Sequence, residues 1–154
     1  MYTKILVPLD GSELSECSLE HVKQAAVAGG ISEVILLRVI EPLSPNDADT
    51  WSRSGYTIAD AQNKNKVVAN NYLSQAAQKL VNQGISARAE VMEGRAAESI
   101  LDYAEKNKVE LIIISTHGRS GISRWTFGSV ADRVVRHSPI PVLVISPPGC
   151  RSGK

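Results

Sequence analysis

Two short stretches of the chain combine side chains and turns of the kind a small-molecule site needs. The first is Pro8-Leu9-Asp10-Gly11-Ser12. Pro8 lacks an N–H and so closes the apolar run before it, and Asp10 then supplies a carboxylate. Asp10 and Ser12 are also common helix caps, so a purely structural role accounts for both. The second stretch is Ser115-Thr116-His117-Gly118-Arg119-Ser120-Gly121, followed by Gly128-Ser129-Val130. Glycines let the backbone approach an anion closely, and the N–H groups at a helix start favour negative charge. Arg119 adds a fork that matches phosphate. Taken alone, this stretch reads as a glycine-bearing turn as readily as a phosphate cradle. His117 reads as a shaper of the loop rather than as a general acid or base.

Sharper chemistries are missing. A Walker A motif needs Gly-Lys followed by Ser or Thr, and the one Gly-Lys pair, Gly153-Lys154, ends the chain. No G-x-G-x-x-G and no G-x-S-x-G is present. The histidines His21, His117 and His137 are scattered and no CxxC occurs, so a Cys/His zinc site has no support. His21 reads as a surface or boundary residue. Cys17 reads as half-buried helix packing and Cys150 as a tail thiol, and two isolated cysteines suit a reducing compartment.

The bulk properties narrow the class further. In 154 residues, 17 Lys+Arg face 16 Asp+Glu, a formal net charge of +1. Without a basic excess, binding to nucleic acid through its phosphates loses its usual footprint. Aromatics are 5%, with one Phe, too few to stack single strands. Hydrophobic residues at 43% and charged residues at 21% are ordinary globular usage. The first apolar run reaches only to Asp10, too short for a signal peptide, and nowhere do 18 apolar residues run together. The expectation is one soluble, cytoplasmic domain with no membrane segment.

The elements that position the two stretches alternate along the chain. Apolar runs at residues 4–8, 34–40, 87–92, 111–114 and 142–145 read as strands. Between them lie helical patterns: Leu14, Ser18, Val22, Ala25 and Ala26, ended by Gly29-Gly30; Leu73, Ala76, Ala77 and Leu80, ended by Gly84; Ala97, Ile100, Leu101 and Ala104; and Val130, Val134 and Val135. Residues 41–57 show no period, and a loop of that length tends to be functional or mobile. Trp51 within it reads either as a lid over a site or as a packed side chain. Strands apolar enough to be covered on both faces, alternating with amphipathic helices, imply a parallel sheet with helices on both sides. Ligands of such sheets lie outside the carboxyl ends of the strands, where strand order reverses.

Together, these residues resemble the universal stress protein family. Ser115-x2-Gly118-x9-Gly128-Ser129 is similar to its G-x2-G-x9-G-[S/T] nucleotide-binding motif, with serine at the first glycine. The opening Ile5-Leu6-Val7-Pro8-Leu9-Asp10-Gly11-Ser12, the Leu37-Arg38-Val39 strand end, the Thr116-His117-Gly118-Arg119 run and the closing Pro141-Val142-Leu143-Val144-Ile145 extend the likeness over nearly the whole chain.

The resemblance implies a three-layer α/β/α fold of the adenine nucleotide alpha hydrolase-like type, with a five-stranded parallel sheet in order 3-2-1-4-5. Residues 1–147 would form one nucleotide-binding domain and residues 148–154 a tail. It implies an ATP site between strands 1 and 4. Pro8 and Asp10 would flank the nucleotide, and Val39 would offer its backbone to the adenine. Ser115, Thr116, His117, Gly118, Arg119, Ser120 and Gly121 would wrap ribose and phosphates, and Gly128, Ser129 and Val130 would meet the phosphates. Mg²⁺ or Mn²⁺ would accompany them, with Asp10 nearby through water. A side chain at Ser115 resists positive φ, so this departure from the motif bears on affinity. The implied role is an ATP-binding regulatory protein of stress response that hydrolyses slowly or not at all, since no nucleophile, base and metal set is visible. It would be a homodimer through Val142–Ile145. An ATP-using enzyme of the same fold, or a dimeric scaffold with a vestigial site, remain alternatives.

Overall fold

The computed structural model describes residues 2–42, 57–116 and 128–146. The strands are β1 (Lys4–Pro8), β2 (Glu33–Ile40), β3 (Ala87–Glu93), β4 (Leu111–Ser115) and β5 (Val142–Ile145). They pair in parallel throughout, in the order β3-β2-β1-β4-β5. The helices are α1 (Glu13–Glu16), α2 (Ser18–Val27), α3 (Ile58–Asn82), α4 (Ala96–Lys106) and α5 (Ser129–His137). This is the expected α/β class and the expected strand order.

The period of two in a strand divides the sheet's side chains between two cores. Ile5, Val7, Val34, Leu36 and Ile113 pack with Val22 of α2 and with Leu73, Ala76, Ala77 and Leu80 of α3. Leu6, Ile35, Leu37, Val39, Ile112 and Ile114 pack on the other face with Ile100 and Ala104 of α4 and Ala131 and Val134 of α5. Helices on both faces make three layers. Fully burying one such aliphatic side chain stabilises by roughly 1.5–3 kcal/mol, so the central strands carry the fold.

Several details depart from the sequence reading. The first helix is interrupted at Cys17 and becomes α1 and α2. Serines, which compete for backbone hydrogen bonds, crowd this segment. Cys17 is half-buried against the core as expected, but it is disulfide-bonded and not a free thiol. Cys150 lies outside the described residues. The helix recognised by Leu73, Ala76, Ala77 and Leu80 is 25 residues long. It starts at a capping box in which the Thr57 hydroxyl accepts from Asp60 N–H at 3.1 Å and the Asp60 carboxylate accepts from Thr57 N–H at 3.3 Å. Its first half exposes Val67 and Val68 and buries the small Ala61 and Ala69, so no stripe of large apolar residues marks it in the sequence. Val135, expected on the apolar face of the last helix, is exposed, because Val134 beside it takes the position facing the sheet. Among the described residues, no helix is long and apolar enough to cross a membrane.

Candidate functional site

Strand order reverses between β1 and β4, and a cavity of about 480 Å³ opens there at the carboxyl ends of the strands. That volume lies within the usual range for small-ligand pockets. One wall is the turn after β1. Ser12 N–H donates to Asp10 Oδ1 at 2.9 Å, and Ser15 N–H donates to Ser12 Oγ at 3.1 Å. Ser15 Oγ donates to the Ser12 carbonyl at 2.9 Å and accepts from Asp10 N–H at 3.3 Å. Ser12 is therefore the helix cap. Asp10 closes the turn and also lines the cavity.

The opposite wall comes from β4 and α5. Ser115 is the last residue of β4, in register with Ile145, and Thr116 N–H continues the ladder to the Ile145 carbonyl at 2.9 Å. Both residues are buried. Positive φ among the described non-glycine residues occurs at Lys108, so Ser115 is extended and unstrained. Gly128 donates its N–H to the Thr116 carbonyl and is the N-cap of α5. A glycine cap has no side-chain acceptor, so the start of α5 keeps the anion-favouring character of a helix N-terminus.

Of the expected site residues, Pro8, Asp10, Val39, Ser115, Thr116, Gly128, Ser129 and Val130 line this one cavity. His117, Gly118, Arg119, Ser120 and Gly121 lie outside the described residues. Sequence reasoning missed Ser15, Arg38, Glu41, Asn65, Ala96 and Ile100 on the same wall. Arg38 had a signal, being a lone charge within an apolar strand. Asn65 had none, since a polar residue on the outer part of a helix is unremarkable. Beside Arg38, Tyr72 of α3 donates its hydroxyl to Glu16 of α1 at 2.7 Å. Burial, then the Glu16 carboxylate, push the Tyr72 pKa up, so the phenol stays a neutral donor and ties α1 to α3. Among the described residues, no group of three His, Cys, Asp or Glu is arranged to hold a metal ion.

A parallel sheet of this order with its cavity at the reversal defines a doubly wound α/β protein. The family model for the universal stress protein family matches residues 1–146, and the chain belongs to that family. Universal stress protein MJ0577 of Methanocaldococcus jannaschii is 32% identical over 155 residues, covering 94% of this chain and 95% of that protein. The solved structure of MJ0577 aligns over 100% of this chain and 99% of its own, with a TM-score of 0.80 and 30% identity. More distant structures share the fold. One is a universal stress protein in complex with cAMP, at 24% identity and TM-score 0.65, covering 94% of this chain and 97% of that one. Another is an Arabidopsis thaliana family member with AMP bound, at 18% identity and TM-score 0.64, covering 94% and 91%.

Proposed function

We propose that the chain is a cytoplasmic ATP-binding regulatory protein of stress response, whose nucleotide occupancy biases its conformation or its partners. The observation that carries this reading is the cavity at the β1/β4 reversal, with Asp10 on one lip and the glycine-capped start of α5 on the other. Apolar Pro8, Leu37, Val39 and Ile114 suit the adenine. Ser115, Thr116 and Ser129 line that cavity and would offer hydroxyls to ribose and phosphates. One carboxylate fits Mg²⁺ or Mn²⁺, which keeps several waters and takes its other ligands from the phosphates. Asp10 would hold it through water.

Hydrolysis is slow or absent in this reading, because the described wall offers no base paired with an activated nucleophile. The regulatory unit is a homodimer through β5, an edge strand whose Leu143 is exposed and whose unpaired backbone groups invite a second copy. The test is mass spectrometry of the nucleotide retained on purification, with calorimetric titration of the stripped protein. ATP is expected to bind with ADP or AMP release below about 1 s⁻¹, the low end of ordinary turnover. Absence of binding by any adenine nucleotide at millimolar concentration would refute the site, and faster steady turnover would refute the regulatory assignment.

A further inference from the structure

A second cavity, of about 490 Å³, adjoins the first and shares Glu41, Ala96, Ser129 and Val130 with it. Its remaining wall is Pro42, Arg95, Ala97, Glu98 and Arg133. Arg133 pairs with Glu98. Arg95 makes no ion pair among the described residues and is the N-cap of α4, without a side-chain capping bond. Glu41 stands at the seam, where its carboxylate accepts from Ala96 N–H at 3.4 Å.

Resting on the nucleotide reading above, we propose that the two cavities are lobes of one site and that its preferred ligand is a dinucleoside polyphosphate. Three observations favour a second nucleoside-sized unit over a lone anion. The second lobe is as large as the first, many times what one phosphate fills. Ser129 and Val130, assigned to the phosphates, lie on the wall common to both lobes, so a phosphate chain held there leads from one to the other. The lining also mixes apolar Pro42, Ala97 and Val130 with arginines, and guanidinium groups both pair with phosphate and stack on aromatic rings. Glu41 is the one element that opposes an anion crossing the seam. Glu98 is already matched by Arg133.

The experiment is calorimetric titration of the full chain with diadenosine tetraphosphate, ATP and pyrophosphate, repeated on Arg95→Ala and on the Arg95→Ala/Arg133→Ala double variant. Both arginines are exposed, and thermal melting confirms that the variants fold. The wild type is expected to bind diadenosine tetraphosphate at least tenfold more tightly than ATP, about 1.4 kcal/mol. The double variant should lose that preference while its ATP affinity stays within twofold. Equal affinities in the wild type, or a preference that survives in the double variant, would overturn the inference and leave the ATP site standing. Arginine-dependent pyrophosphate binding alongside saturating ATP, without a dinucleotide preference, would overturn it in favour of a separate anionic ligand. Failure of ATP itself to bind would remove the nucleotide reading and this inference with it.

Discussion

Replacing Ser115 by glycine restores the usual first residue of the family's nucleotide motif, and the structure says that it should not help. Ser115 ends β4 in an extended conformation, aligned with Ile145, and only 8% of its surface is exposed. No left-handed backbone is relieved by the change. Glycine instead widens the conformational freedom of the unfolded chain and weakens a strand interior, a cost of roughly 0.5–1 kcal/mol. Ser115 is buried, and a buried hydroxyl is ordinarily hydrogen-bonded, so losing such a bond costs roughly 0.5–1.5 kcal/mol more. The sum is about 1–2.5 kcal/mol of stability, and for a chain of this length each kcal/mol lowers Tm by about 2–4 °C. Thermal unfolding should therefore shift down by several degrees. ATP affinity, measured by calorimetry, should be unchanged or lower, since the hydroxyl lines the cavity. A rise in affinity of fivefold or more, or a rise in Tm, would show that the bound state needs a backbone conformation which serine resists, and the reasoning would fail.

Other outcomes follow from the same geometry. Val144→Lys places a charge in the edge strand β5 and should convert a dimer to monomer in sedimentation at micromolar concentration; a wild type already monomeric there would sink the β5 interface. Gly94 holds φ +146°, and a Cβ there would stand 2.6 Å from Ser99 Oγ. Gly94→Ala should thus cost roughly 1–3 kcal/mol in urea unfolding, and a loss under about 0.5 kcal/mol would contradict the strain. The hydrogen bond from Arg88, ahead of the charges of Arg88 and Lys4, holds the Glu33 carboxyl below its ordinary value. With the folded pKa depressed, this contribution is present above the unfolded pKa and fades as pH falls through the folded one. Glu33→Gln should therefore flatten stability against pH in the acid limb below about pH 5, and an unchanged slope would mean that the group does not contribute.

How much was legible in the sequence depends on whether a property is local or periodic. The strands at 4–8, 34–40 and 111–114 announced themselves because both of their faces are buried, which leaves an uninterrupted apolar run at any register. The last turns of α3 were visible through Leu73, Ala76, Ala77 and Leu80, while its first half was not, since Val67 and Val68 face solvent and the buried positions there are the small Ala61 and Ala69. Asp10, Ser115 and Ser129 could be named from residue type and family motif. Their convergence was legible through the family resemblance and not from the local pattern, because residues more than a hundred positions apart meet only when β4 docks beside β1. That docking also decided what Ser115 is. In sequence it looked like the strained start of a loop, and its pairing with Ile145 makes it strand. Asn65 and the second lobe between Arg95 and Arg133 likewise belong to the tertiary structure. Each is an ordinary charged or polar residue on its own element, and only the packing of α3, α4 and α5 around the strand ends turns them toward a common space. The one-dimensional pattern records which face of an element is buried; it holds no record of which exposed ends will share a cavity.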